Sequence, residues 1–321
     1  MRALRRLPGG LPTTVLLLAG LFGAQGAIVA LAASPAGPVA APLLALQARA
    51  PRRLGGAAIA TVLDTHAPMP ARKAALQQVR TAAEQGNAFA QLLLGALYFQ
   101  GPQGARALLP RDPALADVYL SNAATHGNVF AMAAMAELEL QQKHVLQANV
   151  WAQIYVHYGV SPQDLQGATY AAVLMHRTWP RLPRAEEQTA VDDINAYIRL
   201  HNASIVAGQR QSRSAKIART LDDPACRLVA LHPNAHYRLI GPMDYYNTLA
   251  QPGIALYWLG VDGHGAVRVA EPFLSLPDWR VQRRMRVIAT RWHSEPAPQC
   301  SKLLRYALLP VMVRRSLLGQ A

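Results

Sequence analysis

The chain is poor in the residues on which most site chemistry is built. Its 321 residues include two cysteines, Cys226 and Cys300. No Cys-x-x-Cys pair and no His-Glu-x-x-His run occurs, which excludes the zinc centres recognised by those spacings. No Gly-x-Ser-x-Gly elbow occurs either, which excludes the hydrolase nucleophile that it presents. His232 and His236, in the run HPNAH, have no third metal ligand near them in sequence. His264 falls in a loop and reads as solvated. The acidic pairs Glu186-Glu187 and Asp192-Asp193 fall on an amphipathic stretch and read as a wet helix face. The expectation is a protein that is not an enzyme and carries no cofactor and no metal.

Acidic residues are also scarce, 18 against 32 basic ones, for a net charge of +14. The excess is uneven. Residues 35–201 carry 13 basic and 11 acidic side chains, whereas residues 202–321 carry 16 and 7. A basic C-terminal part attracts anionic partners, and charge alone does not choose among them. The N-terminus narrows the choice. Arg2, Arg5 and Arg6 precede an apolar run from Leu11 to Ala33 that ends in small residues. That pattern is either a secretory signal cleaved before Ala33 or a retained anchor long enough to span a bilayer. Both alternatives put the rest of the chain outside the cytoplasm, so the expected location is periplasmic and nucleic acid is not an expected partner. In an exported chain two cysteines suggest one disulfide between Cys226 and Cys300; two buried thiols are the alternative.

Segment 34–56 is rich in Ala, Pro and Gly and reads as a linker. Helical periodicity runs over 57–201, and within it the chain repeats. AAEQGNAFAQLLLGALY (Ala82–Tyr98) aligns with AATHGNVFAMAAMAELE (Ala123–Glu139) under one shift, which superposes Gly86 on Gly127, Asn87 on Asn128 and Phe89 on Phe130. Gly86 and Gly127 each end a helix in the left-handed region, and Asn87 and Asn128 cap the next one. Asp112 and Pro113 open a further helix. With Gly95, Tyr98 and Trp151, these positions resemble the Sel-one-like repeat, a relative of the tetratricopeptide repeat. The resemblance covers about 70–158 and implies an α/α superhelix used for protein binding, whose repeats either bind in their concave groove or space the two ends of the chain. Helices near 163–178 and 184–200 are expected to continue or cap the stack, and 202–224 reads as a helix end plus linker.

Beyond Cys226 the periodicity changes. Ile254–Gly260 is a strand candidate, Asp262-Gly263 a hairpin turn, and Ala266–Leu274 a second strand. Pro277 opens a helix to about Thr290, with Val281, Met285, Ile288 and Trp292 on one stripe. Leu303–Val313 is the last strand, with a short helix expected at Met243–Ala250. The order β-β-α-β, the Asp262-Gly263 turn with Gly265, and Arg291-Trp292-His293-Ser294-Glu295-Pro296-Ala297 resemble the C-terminal domain of the TonB energy transducers. The resemblance covers about 240–315. It implies an α+β domain with an antiparallel sheet that meets outer-membrane receptors by strand addition, here along the edge bearing Leu304, Tyr306 and Leu308. Arg280, Arg283, Arg284 and Arg291 are the candidate contacts for an acidic partner. The chain departs from that family where its apolar segment lacks the Ser and His of a motor-coupled helix, and where a helical repeat replaces the Pro-rich spacer.

The expected architecture is therefore a helical repeat domain (57–201) followed by a small α+β domain (225–321). The expected function is an exported, non-enzymatic scaffold or adaptor for other envelope proteins, outer-membrane receptors among them. The membrane is touched only through the N-terminal segment if that segment is retained. An atypical energy transducer and a cell-envelope enzyme are the alternatives.

Overall fold

The computed structural model describes residues 54–102, 108–160, 165–214, 231–233, 253–300 and 303–313. The N-terminal apolar segment, Cys226 and the helix expected at Met243–Ala250 lie outside them. Among the described residues no helix is long and apolar enough to cross a membrane. The fold is mostly helical, with a small three-stranded antiparallel sheet in the C-terminal part.

Eight helices precede the sheet among the described residues: α1 (Gly56–Leu63), α2 (Met69–Glu84), α3 (Ala88–Gln100), α4 (Pro113–Thr125), α5 (Val129–Gln142), α6 (Val145–Gly159), α7 (Leu165–Thr178) and α8 (Glu187–Ser214). Local chemistry sets their ends. Gly86 and Gly127 sit at φ +82° and +84°, where a side chain would be strained. The Asn87 carboxamide oxygen accepts from the amides of Phe89 and Ala90 at 3.1 and 3.0 Å, and Asn128 repeats this with Phe130 and Ala131 at 3.1 Å each. Asp112 accepts from Leu115 N at 3.0 Å, with Pro113 at the first helical position. Gly95 lets α4 approach α3, since a Cβ there would meet Leu120 Cγ at 2.7 Å. Tyr98 stacks on Tyr119 at 5.9 Å, and Trp151 meets Tyr197 edge-on at 5.1 Å.

The segment 202–224 begins as the expected helix end, since α8 continues to Ser214. Its polar sequence hides a tight docking against the turn between α4 and α5. A Cβ on Gly208 would lie 1.9 Å from the His126 carbonyl oxygen, and one on Gly127 would lie 2.4 Å from that of Ile205. Ser204 Oγ donates to Thr125 O at 2.8 Å, and Gln209 Nε2 donates to Tyr158 O at 3.0 Å. Gly127 therefore serves both the turn and the packing of α8.

The sheet has the order β3-β2-β5, built from β2 (Gly253–Val261), β3 (Val267–Leu276) and β5 (Arg305–Val313). A two-residue ladder joins β1 (His232–Pro233) to β4 (Trp292–His293). Helix α9 (Arg280–Ala289) starts three residues later than Pro277 suggests, because the Asp278 carboxylate takes the amide of Arg280 at 2.7 Å. Every residue of β2 is buried. The cause is that both faces are covered, which also explains its unbroken apolar run. On one face Ile254, Leu256, Trp258, Phe273, Leu274 and Leu276 join the core of the helices. On the other, Ala255, Tyr257, Leu259, Leu309 and Val311 pack with Val281 and Ala289 of α9. Helix α1 lies against all three strands, and α3 and α5 lie against β3.

The repeat thus presents its α3–α5 face to this chain's own sheet. Phe89, the aromatic residue that recurs as Phe130, packs against Trp258 at 5.4 Å and Phe273 at 5.7 Å. Trp258 Nε1 donates to Gly56 O at 3.2 Å. This face is covered from within, because Phe89, Trp258 and Phe273 are worth more to the fold sharing one core than wetted separately.

Candidate functional site

The two edges of the sheet are built differently, and the difference begins in the sequence. On β3, Pro272 has no amide hydrogen to offer. The register then slips: Leu256 faces Leu274, and Tyr257 faces Pro272, so Phe273 is the extra residue of a bulge. Its carbonyl is taken by the Gln100 side chain of α3 at 2.7 Å. A second irregularity leaves Arg268 extra near the turn, where its Nε donates to Asp262 Oδ2 at 2.6 Å. Proline, bulges and a covering side chain are the means by which sheets close an edge to further pairing.

The β5 edge has no such bulge, although helix α7 lies against β5. Its nine residues pair with β2 in unbroken register from Gly253–Val313 to Val261–Arg305. No strand lies on its other side among the described residues. Pro310 is exposed and removes one donor. The side chains alternate between the two covered faces. Leu309 and Val311 are buried toward α9 and Ala307 is buried beside Val261, whereas Tyr306 and Leu308 are half-buried against the helical core. Tyr306 stacks on Trp258 at 6.0 Å. Of the three edge residues expected to meet a partner, only Leu304 has an exposed side chain. Tyr306 and Leu308 turn part of their surface to the core, so backbone amides and carbonyls are the larger share of what this edge presents.

Arg305 fixes the start of β5. Its Nη2 donates to Asp262 O at 3.0 Å, Ser294 Oγ at 2.8 Å and Glu295 O at 3.0 Å. The side chain is buried, and burial lowers its pKa, partly offset by Asp262. Ser294 N and Ala297 N donate back to Gly265 O and Gly263 O, so the turn, β4 and β5 are knotted at one end of the sheet. Asp262 is held below the ordinary carboxylate range, chiefly by the Arg268 hydrogen bond and then by the Ala266 amide. Cys300 follows this knot and is disulfide-bonded; Cys226, the other cysteine of the chain, lies outside the described residues.

Of the expected arginines, Arg280 and Arg291 are exposed. Arg283 and Arg284 lie on α9, and their side chains lie outside the described residues. Arg286, also exposed on α9, belongs to the same basic surface. It lies about 120° around the helix from Arg280, six residues on. Within the helices a buried carboxylate is matched. Glu137 Oε1 accepts from Tyr170 OH at 2.7 Å and from Arg177 Nη1. Burial and Glu137 push the Tyr170 phenol well above its ordinary pKa, which keeps it a donor. A surface depression of about 390 Å³ at Lys143, His144, Arg181 and Glu186 carries both signs of charge. Among the described residues no three His, Cys, Asp or Glu side chains converge on one point.

No family model matches the chain, and no match is found among the curated proteins or the solved structures.

Proposed function

We propose that this chain is an exported adaptor of the bacterial envelope that takes an extended segment of another protein along its β5 edge. The observation that carries this reading is the asymmetry of the sheet. One edge is closed by Pro272, a bulge and Gln100, and the other offers nine residues in regular register. Strand addition draws its affinity from such main-chain groups. The β-β-α-β order and the antiparallel pairing of β5 with β2 support the resemblance to the TonB C-terminal domain. The recurring Gly–Asn caps support the resemblance to Sel-one-like repeats. On this reading the helices are a brace, because α1 and α3 back the sheet from which β5 hangs. The basic α9 surface favours partners with acidic flanks.

The test is site-specific photo-crosslinking in the native envelope. A benzophenone residue replaces Pro310 or Leu304 at the β5 edge, with Arg268 on β3 and Val191 on α8 as comparison sites. Crosslinks to one recurring stretch of a partner, at the β5 sites and not at the others, are expected. Equal yields at Arg268, or none at either β5 site, overturn the proposal.

A further inference from the structure

A second site, unrelated to the β5 edge, lies on the short ladder. His232 and His293 are direct partners in the antiparallel pair of β1 with β4. Both are exposed, and their ring centroids lie 6.1 Å apart at 48°. Neither ring makes a hydrogen bond or ion pair with another described residue. The backbone beneath them is held on several sides. His293 bridges to Ala266, Ser294 N donates to Gly265 O at 2.9 Å, and Ala297 N donates to Gly263 O at 2.7 Å.

The spacing suits one chelated ion. A metal about 2.1 Å from one nitrogen of each imidazole lies ~3.2 Å from each ring centre, which puts the centres about 5.2 Å apart at a tetrahedral angle and about 6.4 Å apart when collinear. The observed 6.1 Å falls between these limits. Rotation about the side-chain bonds then suffices to aim the nitrogens. We propose that His232 and His293 form a bidentate bis-imidazole site for a divalent late transition ion, copper, nickel or zinc. No third protein ligand converges there among the described residues. The remaining coordination positions belong to water or to an outside chelator, so the site is open and exchangeable. Imidazole ligands select these ions over magnesium and calcium, which take oxygen ligands.

The test is titration of the full-length protein in detergent with ZnCl2 and, separately, MgCl2. Zinc is diamagnetic, so the imidazole resonances of His232 and His293 can be followed beside that of His264, whose loop lies against His293. The two paired resonances are expected to shift together and saturate at one equivalent of zinc, with magnesium without effect. His232→Ala and His293→Ala each lower zinc affinity at least roughly tenfold, as loss of one arm of a chelate requires, whereas His264→Ala leaves it unchanged. Protection of both rings from diethyl pyrocarbonate by zinc in the wild-type chain checks the same point without a variant. Affinity unchanged in either paired variant, or lowered as much by His264→Ala, overturns the proposal.

Discussion

If the helices and the sheet share one core, a side chain between them must matter to both. Phe89 is that side chain. It sits on the second residue of α3 and meets Trp258 of β2 and Phe273 of β3. Truncating a fully buried Phe to Ala costs about 3–5 kcal/mol, and Phe89 is half-buried, so burial alone assigns it ~2 kcal/mol. Aromatic pairs contribute about 0.5–1.5 kcal/mol beyond burial, which brings Phe89→Ala to roughly 2–3 kcal/mol. For a unit of this size that corresponds to a melting point lowered by about 5–10 °C. The assay is thermal unfolding followed by far-ultraviolet circular dichroism, with amide exchange of β2 measured in parallel. The wild type and the variant should each show one transition, and the β2 amides should lose protection together with those of α3 and α5. A variant whose helices melt earlier while β2 keeps its protection would refute the shared core, as would two separated transitions in the wild type.

Gly208→Ala places a methyl group 1.9 Å from the His126 carbonyl oxygen, a backbone atom that cannot swing aside. It should cost about 1–3 kcal/mol or more in chemical denaturation, and an unchanged midpoint would show that α8 does not dock there. Asn87→Ala and Asn128→Ala each remove a cap with two amide donors and should each cost about 1 kcal/mol; the two caps share no hydrogen-bond partner, so the double variant should show the sum within experimental error. Asp262 has a folded pKa below the usual 3.8. Its contribution is therefore complete above the unfolded value and is lost as pH falls through the lower folded one. Asp262→Asn should flatten the acid limb of a stability–pH curve and leave the neutral limb parallel to the wild type; a change of slope near neutrality would contradict this assignment.

What was legible in the sequence was whatever a local signal fixes. Gly86 with Asn87, and Gly127 with Asn128, mark helix ends because a positive φ and an amide-accepting side chain are decided within four residues. The Asp262 turn was legible for the same reason. The unbroken apolar run of β2 announced a strand but not that both its faces are covered. The docking of α8 was hidden, since Gly208 lies in a polar stretch and its partner, His126, is 82 positions earlier. Along β5, alternation shows which side chains share a face but not which face meets a neighbour. Hence Tyr306 and Leu308 read as contacts for a partner, whereas the structure spends them on Trp258 and the helices. The pairing of His232 with His293 was equally out of reach, because it depends on the ladder that brings β1 to β4.

The covered face of the helices bears directly on which surface is left for work. A stack of helix pairs that kept α3 and α5 open would bind through side chains, with Phe89 and its equivalents as anchors. Here Phe89 holds the sheet, and the sheet in turn directs most of its own side chains into two cores. What β5 retains on its outer side is backbone, interrupted at Pro310. Backbone recognises the extended conformation and not a particular side chain. A β5 adaptor would therefore choose partners by the availability of an unpaired strand and by flanking charge, with the arginines of α9 supplying the second criterion. Neutralising Arg280, Arg286 and Arg291 together should then slow association and reduce its dependence on salt, and leave dissociation nearly unchanged. The opposite pattern, faster dissociation at an unchanged association rate, would place those arginines inside the contact and would count against a backbone-only edge.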